Sequence, residues 1–255
     1  MLSERDLSHA LERIGAEAPV RFDEVTRSTQ LTALALAGAG APEWTLVAAA
    51  HQTEGRGRLG REWIDEPGRA LLFSVVLRPE LAPSRGGLLT LLAGWAMAAA
   101  CRDVASTDAA CKWPNDVLVG GRKAGGILAE SRLLGRRFEH VVLGLGLNLG
   151  AAPTSVPGSA AIRGADPAAV LGAFLETFAS RYAPADRGFP GSVVGAYRGI
   201  CETLGRRVRA VTTAGRTVEG EAVDLDEAGG LVVRTTAGLE TVRFGEIEHL
   251  AGGDG

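Results

Sequence analysis

Apolar residues recur with two different periods along most of the chain. Alternating or short continuous apolar runs predict β-strands at Val20 to Val25, Thr45 to Ala50, Ala70 to Leu77, Val117 to Val119, Gly125 to Glu130 and Val141 to Leu149. Apolar residues at helical spacing predict helices at Leu31 to Ala37, Gly87 to Cys101, Pro167 to Tyr182 and Ser192 to Leu204. Ser28 and Thr29 stand where the first helix would be capped. A long polar loop is predicted from His51 to Arg69.

From Gly205 onward the pattern changes to short strands separated by turn residues. These strands are predicted at Val208 to Thr212, Val218 to Leu225, Leu231 to Thr235 and Thr241 to Phe244. We therefore predict two domains, residues 1–203 and residues 204–255, in a chain of the α+β class. The second domain is expected to be a small β-barrel.

Composition places the chain among ordinary globular proteins. Its 255 residues are 46% hydrophobic with a mean hydropathy of +0.11, so a sizeable core can be buried. A net charge of −3 and a pI near 5.9 argue against a general binder of nucleic acids or membrane surfaces. The longest apolar stretch, Leu88 to Cys101, is too short to span a bilayer. Three cysteines without a CxxC pair indicate reduced thiols, and a cytoplasmic location is predicted.

The loop Gly55 to Arg61 places three arginines among three glycines in a mildly acidic protein. Glycines let the backbone approach a ligand, and each guanidinium can form bidentate contacts with carboxylate or phosphate oxygens. A solvated basic loop of the kind found in RNA-binding tails is the alternative. The position of this loop directly after a predicted buried strand favours an anion-binding loop.

Lys112 to Asp116 is a dense cluster of a cation, an aromatic residue, a proline and two polar side chains before a predicted strand. A strand-entry turn with Trp113 in the core would give the same pattern. Lys123 then enters an apolar, glycine-containing strand. Such a lysine is usually a surface residue, but it would hold a carboxylate if it faced a cavity.

The run Gly144 to Asn148 repeats glycine on one face of a predicted strand. Missing side chains thin that face, so that a flat ligand or another backbone can lie against it. The run is not the dinucleotide-binding fingerprint, because no helix follows it and the third glycine is absent.

Four motifs occur in the order and spacing of one protein family. They are Ser28-Thr29, Gln52 with Gly55 to Trp63, Lys112 to Asp116 with Lys123 to Leu128, and Gly144 to Asn148. From about Arg21 to the C-terminal strands the chain resembles the biotin protein ligases, also called biotin–[acetyl-CoA-carboxylase] ligases. The resemblance implies a mixed β-sheet flanked by helices and an SH3-like C-terminal barrel. It also implies that biotin and ATP form biotinyl-5′-AMP, from which biotin passes to a lysine of a biotin carboxyl carrier protein.

The resemblance also assigns roles to residues. Arg56, Arg58 and Lys123 would bring two anions together, and Asp116 would orient the incoming lysine. The residues implied at biotin are Ser28, Thr29, Gln30, Gln52, Gly55, Arg56, Gly57, Arg58, Lys123, Gly126, Leu128, Gly144 and Gly146. The residues implied at ATP are Arg58, Arg61, Trp63, Lys112, Asn115 and Asn148, with Trp63 stacked on adenine.

The ureido head of biotin needs hydrogen-bond partners once it is buried. The resemblance gives that role to Ser28, Thr29 and Gln52. The position after Thr29 is usually Asn in the family and is Gln30 here, so this side chain either contacts the ligand or caps the helix.

Further expectations concern the metal and the partners. Mg²⁺ is expected with ATP because it neutralises phosphate charge, and the sequence does not name its ligands. The carrier protein is the expected partner, and neither a nucleic acid nor a membrane is. About twenty residues precede the first predicted strand, too few for the winged-helix domain that some members carry, so no repressor function is predicted.

Three other functions are alternatives to that of a biotin protein ligase. A lipoate ligase would share the fold and the adenylate chemistry, but the chain has no run like the Arg-rich, triple-glycine motif of that branch. A non-catalytic biotin or nucleotide sensor would not need Arg56, Arg58 and Lys123 together. An RNA-binding protein would be expected to be basic and to carry aromatic residues between its arginines.

Overall fold

Two β-sheets and five α-helices make up the part of the chain that the structure describes, residues 2–212, 215–243 and 245–250 of a computed structural model. The helices are α1 (Glu4–Glu12), α2 (Thr29–Gly38), α3 (Gly87–Ala105), α4 (Pro167–Ala179) and α5 (Phe189–Arg198). The strands of the large sheet are β1 (Val20–Thr26), β2 (Leu46–Gln52), β3 (Ala70–Leu77), β4 (Ala109–Lys112), β5 (Asp116–Val119), β6 (Arg122–Leu134) and β7 (Arg137–Asn148). The strands of the C-terminal sheet are β8 (Arg207–Thr212), β9 (Thr217–Leu225), β10 (Leu231–Thr235), β11 (Gly238–Val242) and β12 (Gly245–His249).

The large sheet has the strand order β1-β2-β3-β7-β6-β5-β4. β1 pairs with β2 in parallel and the other neighbours are antiparallel, so the sheet is mixed. Together with the flanking helices and the C-terminal β-sheet, this confirms the predicted fold class. The predicted strand positions are confirmed within a few residues, whereas α1, β4 and β12 were not predicted.

The two faces of the large sheet are covered unequally. On β7, alternate residues such as Leu143 and Leu145 join the main core, which includes α1, α3, α4 and α5. On the opposite face, Val142 packs with Ala33 and Ala37 of α2 in a small separate core. α2 contacts β2, β3 and β7, so the part of this face that lies over β5 and β6 is left for another occupant.

α3 is the central helix of the main core. With the turn before it, the helical segment Pro83–Ala105 is long and apolar enough to cross a membrane by length and composition, and 61% of its most apolar window is buried inside the protein. The apolar stretch Leu88 to Cys101 was predicted to be too short to span a bilayer. That prediction is wrong for the whole helical segment, which is longer than this stretch. Burial of this helix against β4, β5, β6, α4 and α5 accounts for its apolar character.

Some predicted helix and strand limits need correction. α5 runs from Phe189 to Arg198 and not from Ser192 to Leu204, because the chain after Gly199 turns to bring Cys201 beside Cys111 of β4. The helix predicted to reach Tyr182 ends at Ala179. The strand predicted at Thr241 to Phe244 is β11, which ends earlier, and Phe244 lies outside the described residues.

The C-terminal sheet is antiparallel, with the order β11-β10-β9-β8-β12. It packs against the first part of the chain through Trp113, whose indole Nε1 donates to Gly229 O at 2.9 Å. Trp113 is only 2% exposed, so the interpretation of this residue as part of the core is confirmed. The contact sets β12 beside the open face of the large sheet.

Candidate active site

A cleft of about 200 Å³, here called the site cleft, lies on the face of the large sheet that α2 leaves open. It is lined by the predicted residues Ser28, Thr29, Gln30, Gln52, Arg56, Gly57, Arg58, Arg61, Trp63, Lys112, Asn115, Asp116, Lys123, Gly126, Leu128, Gly144 and Gly146. Glu246 and Ile247 of β12 complete its wall. Motifs far apart in the sequence therefore meet at one place.

The floor of the site cleft is formed by β6 and β7. Gly126 pairs with Gly146, and Leu128 pairs with Gly144, so all four residues point to the same face. The space that the glycines leave is partly occupied by protein. A Cβ atom on Gly146 would lie 2.5 Å from Trp63 Cε2, and one on Gly144 would collide with the side-chain amide of Gln30.

The basic loop is a short two-stranded ribbon, here called the basic ribbon, residues Gly55 to Trp63. Gly57 N donates to Arg61 O at 2.8 Å, and Trp63 N donates to Gly55 O at 2.9 Å. A Cβ atom on Gly55 would collide with the carbonyl oxygen of Trp63. Gly55 was predicted at biotin, but it is not among the residues that line the cleft within the described part of the chain. Its glycine is explained by this close approach of two backbone segments.

Asp65 holds the base of the basic ribbon and was not predicted as a functional residue. Its carboxylate is fully buried, accepts from Gln52 N at 3.2 Å and lies 2.8 Å from His51 Nδ1. Asp65, in the last part of the long loop, is thus bound to the end of β2, where the loop begins. The position of Gln52 in the site cleft depends on this contact.

Two cations of the site cleft are paired with acidic side chains. Arg56 Nη2 lies 3.3 Å from Glu130 Oε1, and Lys123 Nζ lies 2.6 Å from Asp116 Oδ1. Asp116 and Lys123 both line the cleft, so this pair can exchange partners with a charged ligand. Lys123 therefore lines a cavity, although its side chain is still 44% exposed.

The other two arginines reach across to the C-terminal sheet. Arg58 donates to Asn115 Oδ1 at 2.8 Å and to Gly245 O at 3.1 Å, which are both neutral acceptors. Arg61 forms an ion pair with Glu246. These contacts join the basic ribbon to β12.

Arg58 is the most desolvated of these cations. Burial lowers the pKa of Arg58 below its ordinary value, against the attraction of Asp116 and Glu246. An arginine remains charged under such a shift. A half-buried guanidinium hydrogen-bonded to neutral groups can still attract an anion, because less water screens it than at the surface.

The polar end of the site cleft lies at the start of α2. Thr29 N donates to Gln52 Oε1 at 2.8 Å, and Thr29 Oγ1 lies 3.1 Å from the same oxygen. Among the described residues, the buried Oγ of Ser28 has no hydrogen-bond partner, and Ser28 does not cap α2 through its side chain. The expected capping role of Ser28 is therefore wrong, and its hydroxyl group is available to a ligand.

Gln30 does not cap α2 either. Its side chain is 3% exposed and its Nε2 donates to Val142 O at 3.2 Å, on β7. The amide thus crosses from α2 to the sheet and forms part of the wall beside Gly144.

At the other end, Trp63 lies across Gly126 and Gly146. Its buried Nε1 has no hydrogen-bond partner in the described structure. Asn148 follows on the same face of β7, where its Nδ2 donates to Ala160 O at 2.9 Å and its buried Oδ1 has no partner within the same described ranges. Asn148 is not among the cleft-lining residues of the described chain.

Residues with metal-ligand chemistry do not form a cluster in residues 2–212, 215–243 and 245–250, where no group of three His, Cys, Asp or Glu side chains converges. None of the three cysteines, Cys101, Cys111 and Cys201, lines the site cleft in the described part of the chain. Burial raises the pKa of Cys101 to about 12 and that of Cys111 well above its ordinary value. Both therefore remain neutral thiols.

Several residues around the site cleft were not predicted from the sequence, namely Asp65, Ser74, Glu130, Gly245 and Glu246. Ser74 had a visible signal, because it is the one polar side chain in the apolar run Ala70 to Leu77. Glu246 had none, since its pairing with Arg61 depends on how the C-terminal sheet packs against the large sheet.

Comparisons with known proteins agree with this geometry. Residues 22–148 match the Biotin/lipoate A/B protein ligase family, and residues 203–250 match the Biotin protein ligase C terminal domain. The biotin–[acetyl-CoA-carboxylase] ligase of Mycobacterium tuberculosis is 34% identical, over 98% of this chain and 96% of that protein. The bifunctional ligase/repressor BirA of Bacillus subtilis is 33% identical, over 97% of this chain and 79% of that protein.

Among solved structures, the chain is similar to the biotin protein ligase of Aquifex aeolicus in complex with biotin and ATP. The TM-score is 0.74 at 25% identity, over 90% of this chain and 97% of that one. The similarity extends over both sheets.

Proposed function

The chain belongs to the family of biotin–[acetyl-CoA-carboxylase] ligases, and from this premise we propose that its site cleft joins biotin to ATP and passes the biotin to a carrier protein. The observation that carries the proposal is the pairing of a neutral polar end with a cationic end in one cleft. Ser28, Thr29 and Gln52 form the first, and Arg58 and Lys123 belong to the second.

In the first step, a carboxylate oxygen of biotin attacks the α-phosphorus of ATP. An oxygen–phosphorus bond forms, the bond to the bridging oxygen breaks, and pyrophosphate leaves with biotinyl-5′-AMP remaining. Two anions must approach each other, so fixed cations are needed to offset their repulsion and to stabilise the charge that develops at phosphorus. Arg56, Arg58 and Lys123 supply these charges, and Lys123 exchanges Asp116 for the ligand.

The polar end holds the ureido ring. Gln52 Oε1 is occupied by Thr29, so the Nε2 group of Gln52 is left to donate to the ureido carbonyl together with Ser28 Oγ. A buried polar head needs such partners, because an unpaired polar group costs about 1–3 kcal/mol. This arrangement favours biotin over an acid with an apolar head, such as lipoate.

The nucleotide is placed at the other end of the site cleft. One side of the Trp63 ring rests on glycines, and the other side suits stacking on adenine. The free acceptor of Asn148 suits an amino group of the base once Trp63 adjusts. Lys112, Asn115 and Arg61 are then near the ribose and the phosphates.

In the second step, the amino group of a carrier lysine attacks the carbonyl carbon of biotinyl-5′-AMP. A carbon–nitrogen bond forms, the carbon–oxygen bond to AMP breaks, and the amine releases its proton to water. Asp116 orients the lysine once Lys123 has turned to the ligand, since a free carboxylate attracts an ammonium group. The acceptor is the biotin-carrying domain of a carboxylase.

The site cleft offers few of the oxygen ligands that Mg²⁺ prefers. The ion prefers oxygen ligands and is usually held by one or two carboxylates together with substrate phosphates. Asp116 offers such a carboxylate in the site cleft. When bound, the ion would neutralise phosphate charge, and we propose that it arrives with ATP.

Three further expectations are also proposals. We propose a boundary between the two domains at residues 203 and 204, a cytoplasmic location and no repressor activity. A binding assay with double-stranded DNA, with and without biotin and ATP, tests the last of these.

The proposed function is tested by incubating the protein with ATP, Mg²⁺ and an acceptor domain, with either biotin or lipoate. Mass spectrometry of the acceptor is expected to show the mass of one biotinyl group on a lysine and no lipoyl group. Transfer of lipoate, or no transfer of either acid, contradicts the proposal.

A further inference from the structure

A buried hydroxyl group lies behind the polar end of the site cleft. Ser74 of β3 is fully buried in an otherwise apolar strand. Its Oγ lies 3.0 Å from Thr29 Oγ1 and 3.2 Å from Gln30 Oε1. Burying a polar group at this depth costs free energy unless the group is hydrogen-bonded. The two contacts of Ser74 therefore have to satisfy its hydroxyl group.

The orientations of the two flanking amides are determined by backbone groups. Gln52 must direct its oxygen at Thr29, because Thr29 N donates to it. Gln30 must direct its nitrogen at Val142 O, which can only accept, so its oxygen faces Ser74. Both amide oxygens are therefore acceptors in one chain of contacts, Gln52 to Thr29 to Ser74 to Gln30.

This series of side-chain contacts has fewer hydroxyl protons than contacts. Its two hydroxyl groups carry one proton each, whereas three contacts join the four side chains. Every acceptor is satisfied when Thr29 donates to Ser74 and Ser74 donates to Gln30, because Gln52 already accepts from Thr29 N. In this arrangement the proton of Thr29 points into the protein, and its oxygen presents only lone pairs to the site cleft.

We propose that Ser74 and Gln30 are positioning residues that fix Thr29 as an acceptor for the N–H group of a cyclic urea. The inference rests on the proposed function, because it takes biotin as the ligand. It also gives the residue that differs from the family pattern a role. Gln30 is one methylene longer than Asn, and this length lets it reach both Val142 and Ser74 from α2.

Gly144 agrees with this role. A Cβ atom at this position would collide with Gln30 Oε1 and would lie 3.3 Å from Ser74 Oγ. The glycine therefore leaves room for the Gln30 amide behind the cleft wall. Ser74 and Gly144 are direct cross-strand partners, so β3 and β7 bring the two positions together.

The experiment compares Ser74→Ala with Ser74→Thr, which keeps the hydroxyl group, and with Val76→Ala as a matched control. Val76 lies on the same face of β3 and packs only into the small core under α2. The measurement is biotin-dependent pyrophosphate exchange, with KM for biotin and for ATP determined separately, and a thermal melt of each variant.

Ser74→Ala is expected to raise KM for biotin about fivefold, as for the loss of one neutral hydrogen bond, with KM for ATP unchanged. The same factor is expected for desthiobiotin, which keeps the urea ring and lacks the sulfur ring. Ser74→Thr restores most of the effect, and Val76→Ala lowers the melting temperature without changing either KM.

An unchanged KM for biotin in Ser74→Ala would overturn the inference while leaving the proposed function intact. A loss confined to biotin, with desthiobiotin unaffected, would also overturn it by pointing to cavity shape. If Ser74→Ala does not fold, Gln30→Asn gives the same test, since the shorter amide cannot reach Ser74. If the wild-type protein shows no biotin-dependent exchange, it is the proposed function that fails.

Discussion

The two ends of the site cleft are built in different ways. The polar end, with Thr29, Gln52 and Ser74, consists of neutral groups on α2, β2 and β3 that contact one another, and of these Thr29 and Ser74 are buried. The charged end consists of long cationic side chains such as Arg61 and Lys123, which are ion-paired and partly exposed. The first end is preformed for one ligand shape, whereas the second can exchange its internal partners for anions.

Loss of a cation at the charged end should have the largest effect. Lys123→Ala is expected to lower the adenylation rate about 10²- to 10³-fold, because the proposed mechanism places this charge near the reacting carboxyl group and Asp116 loses its partner. Pyrophosphate exchange measures this step. Arg136→Ala, an exposed cation on the β6–β7 hairpin, serves as the control and should retain full activity. Normal exchange by Lys123→Ala would refute the role of the charged end.

Two of the floor glycines, Gly144 and Gly146, allow the ends to be perturbed separately. Gly144→Ala should displace Gln30 and raise KM for biotin, whereas Gly146→Ala should displace Trp63 and raise KM for ATP. Overpacking costs about 1–3 kcal/mol, which corresponds to about 5- to 150-fold. Each variant is the control of the other in steady-state kinetics. Equal effects of both variants on both substrates would show that the ends are not separable.

The C-terminal sheet should be the pH-sensitive side of the cleft. Burial and the nearby charges of Lys112 and Arg206 lower the pKa of His249 in β12 to about 4. Below the unfolded pKa of about 6.5, the unfolded state binds the proton first, so stability is full above that pH and falls as pH drops towards 4.

The expected loss is about 1 kcal/mol, after allowance for partial exposure. Urea unfolding at about pH 7 and about pH 5 measures it in the wild-type protein and in His249→Gln. The variant should lose less stability between the two pH values. A wild-type protein and a variant with the same pH dependence would refute this assignment.

The smallest effect is expected at the exposed pair of Arg61 and Glu246, whose side chains are 70% and 35% exposed. A double-mutant cycle with Arg61→Ala and Glu246→Ala should give a coupling of about 0.2–1 kcal/mol in stability, decreasing with salt. A larger, salt-independent coupling would mean that the basic ribbon is held to β12 more firmly than these contacts imply.

Single helices and strands could be predicted from the sequence, whereas contacts between distant parts of the chain could not. Strands such as Ala70 to Leu77 and the helix from Gly87 were predicted because their apolar periods reflect burial against their own neighbours. The cationic residues were found because glycine and arginine stand together in the sequence. The partners of those residues could not be predicted, since Glu246 meets Arg61 only through packing of the C-terminal sheet.

Gln30 and Gly144 illustrate a second limit. Sequence alone left Gln30 as either a ligand contact or a helix cap, and it does not cap the helix but is bonded to β7 and Ser74 while lining the site cleft. Gly144 was interpreted as space for a ligand, whereas a neighbouring amide occupies part of that space. Both outcomes depend on the register of β3 with β7, which the periodicity of one strand does not determine.

The central claim is that the cleft activates biotin with ATP. Exchange of labelled pyrophosphate into ATP, measured with biotin, with lipoate and with no added acid, tests it most directly. We predict exchange with biotin and background levels in the other two reactions. Equal exchange with lipoate, or none with biotin, would contradict the claim.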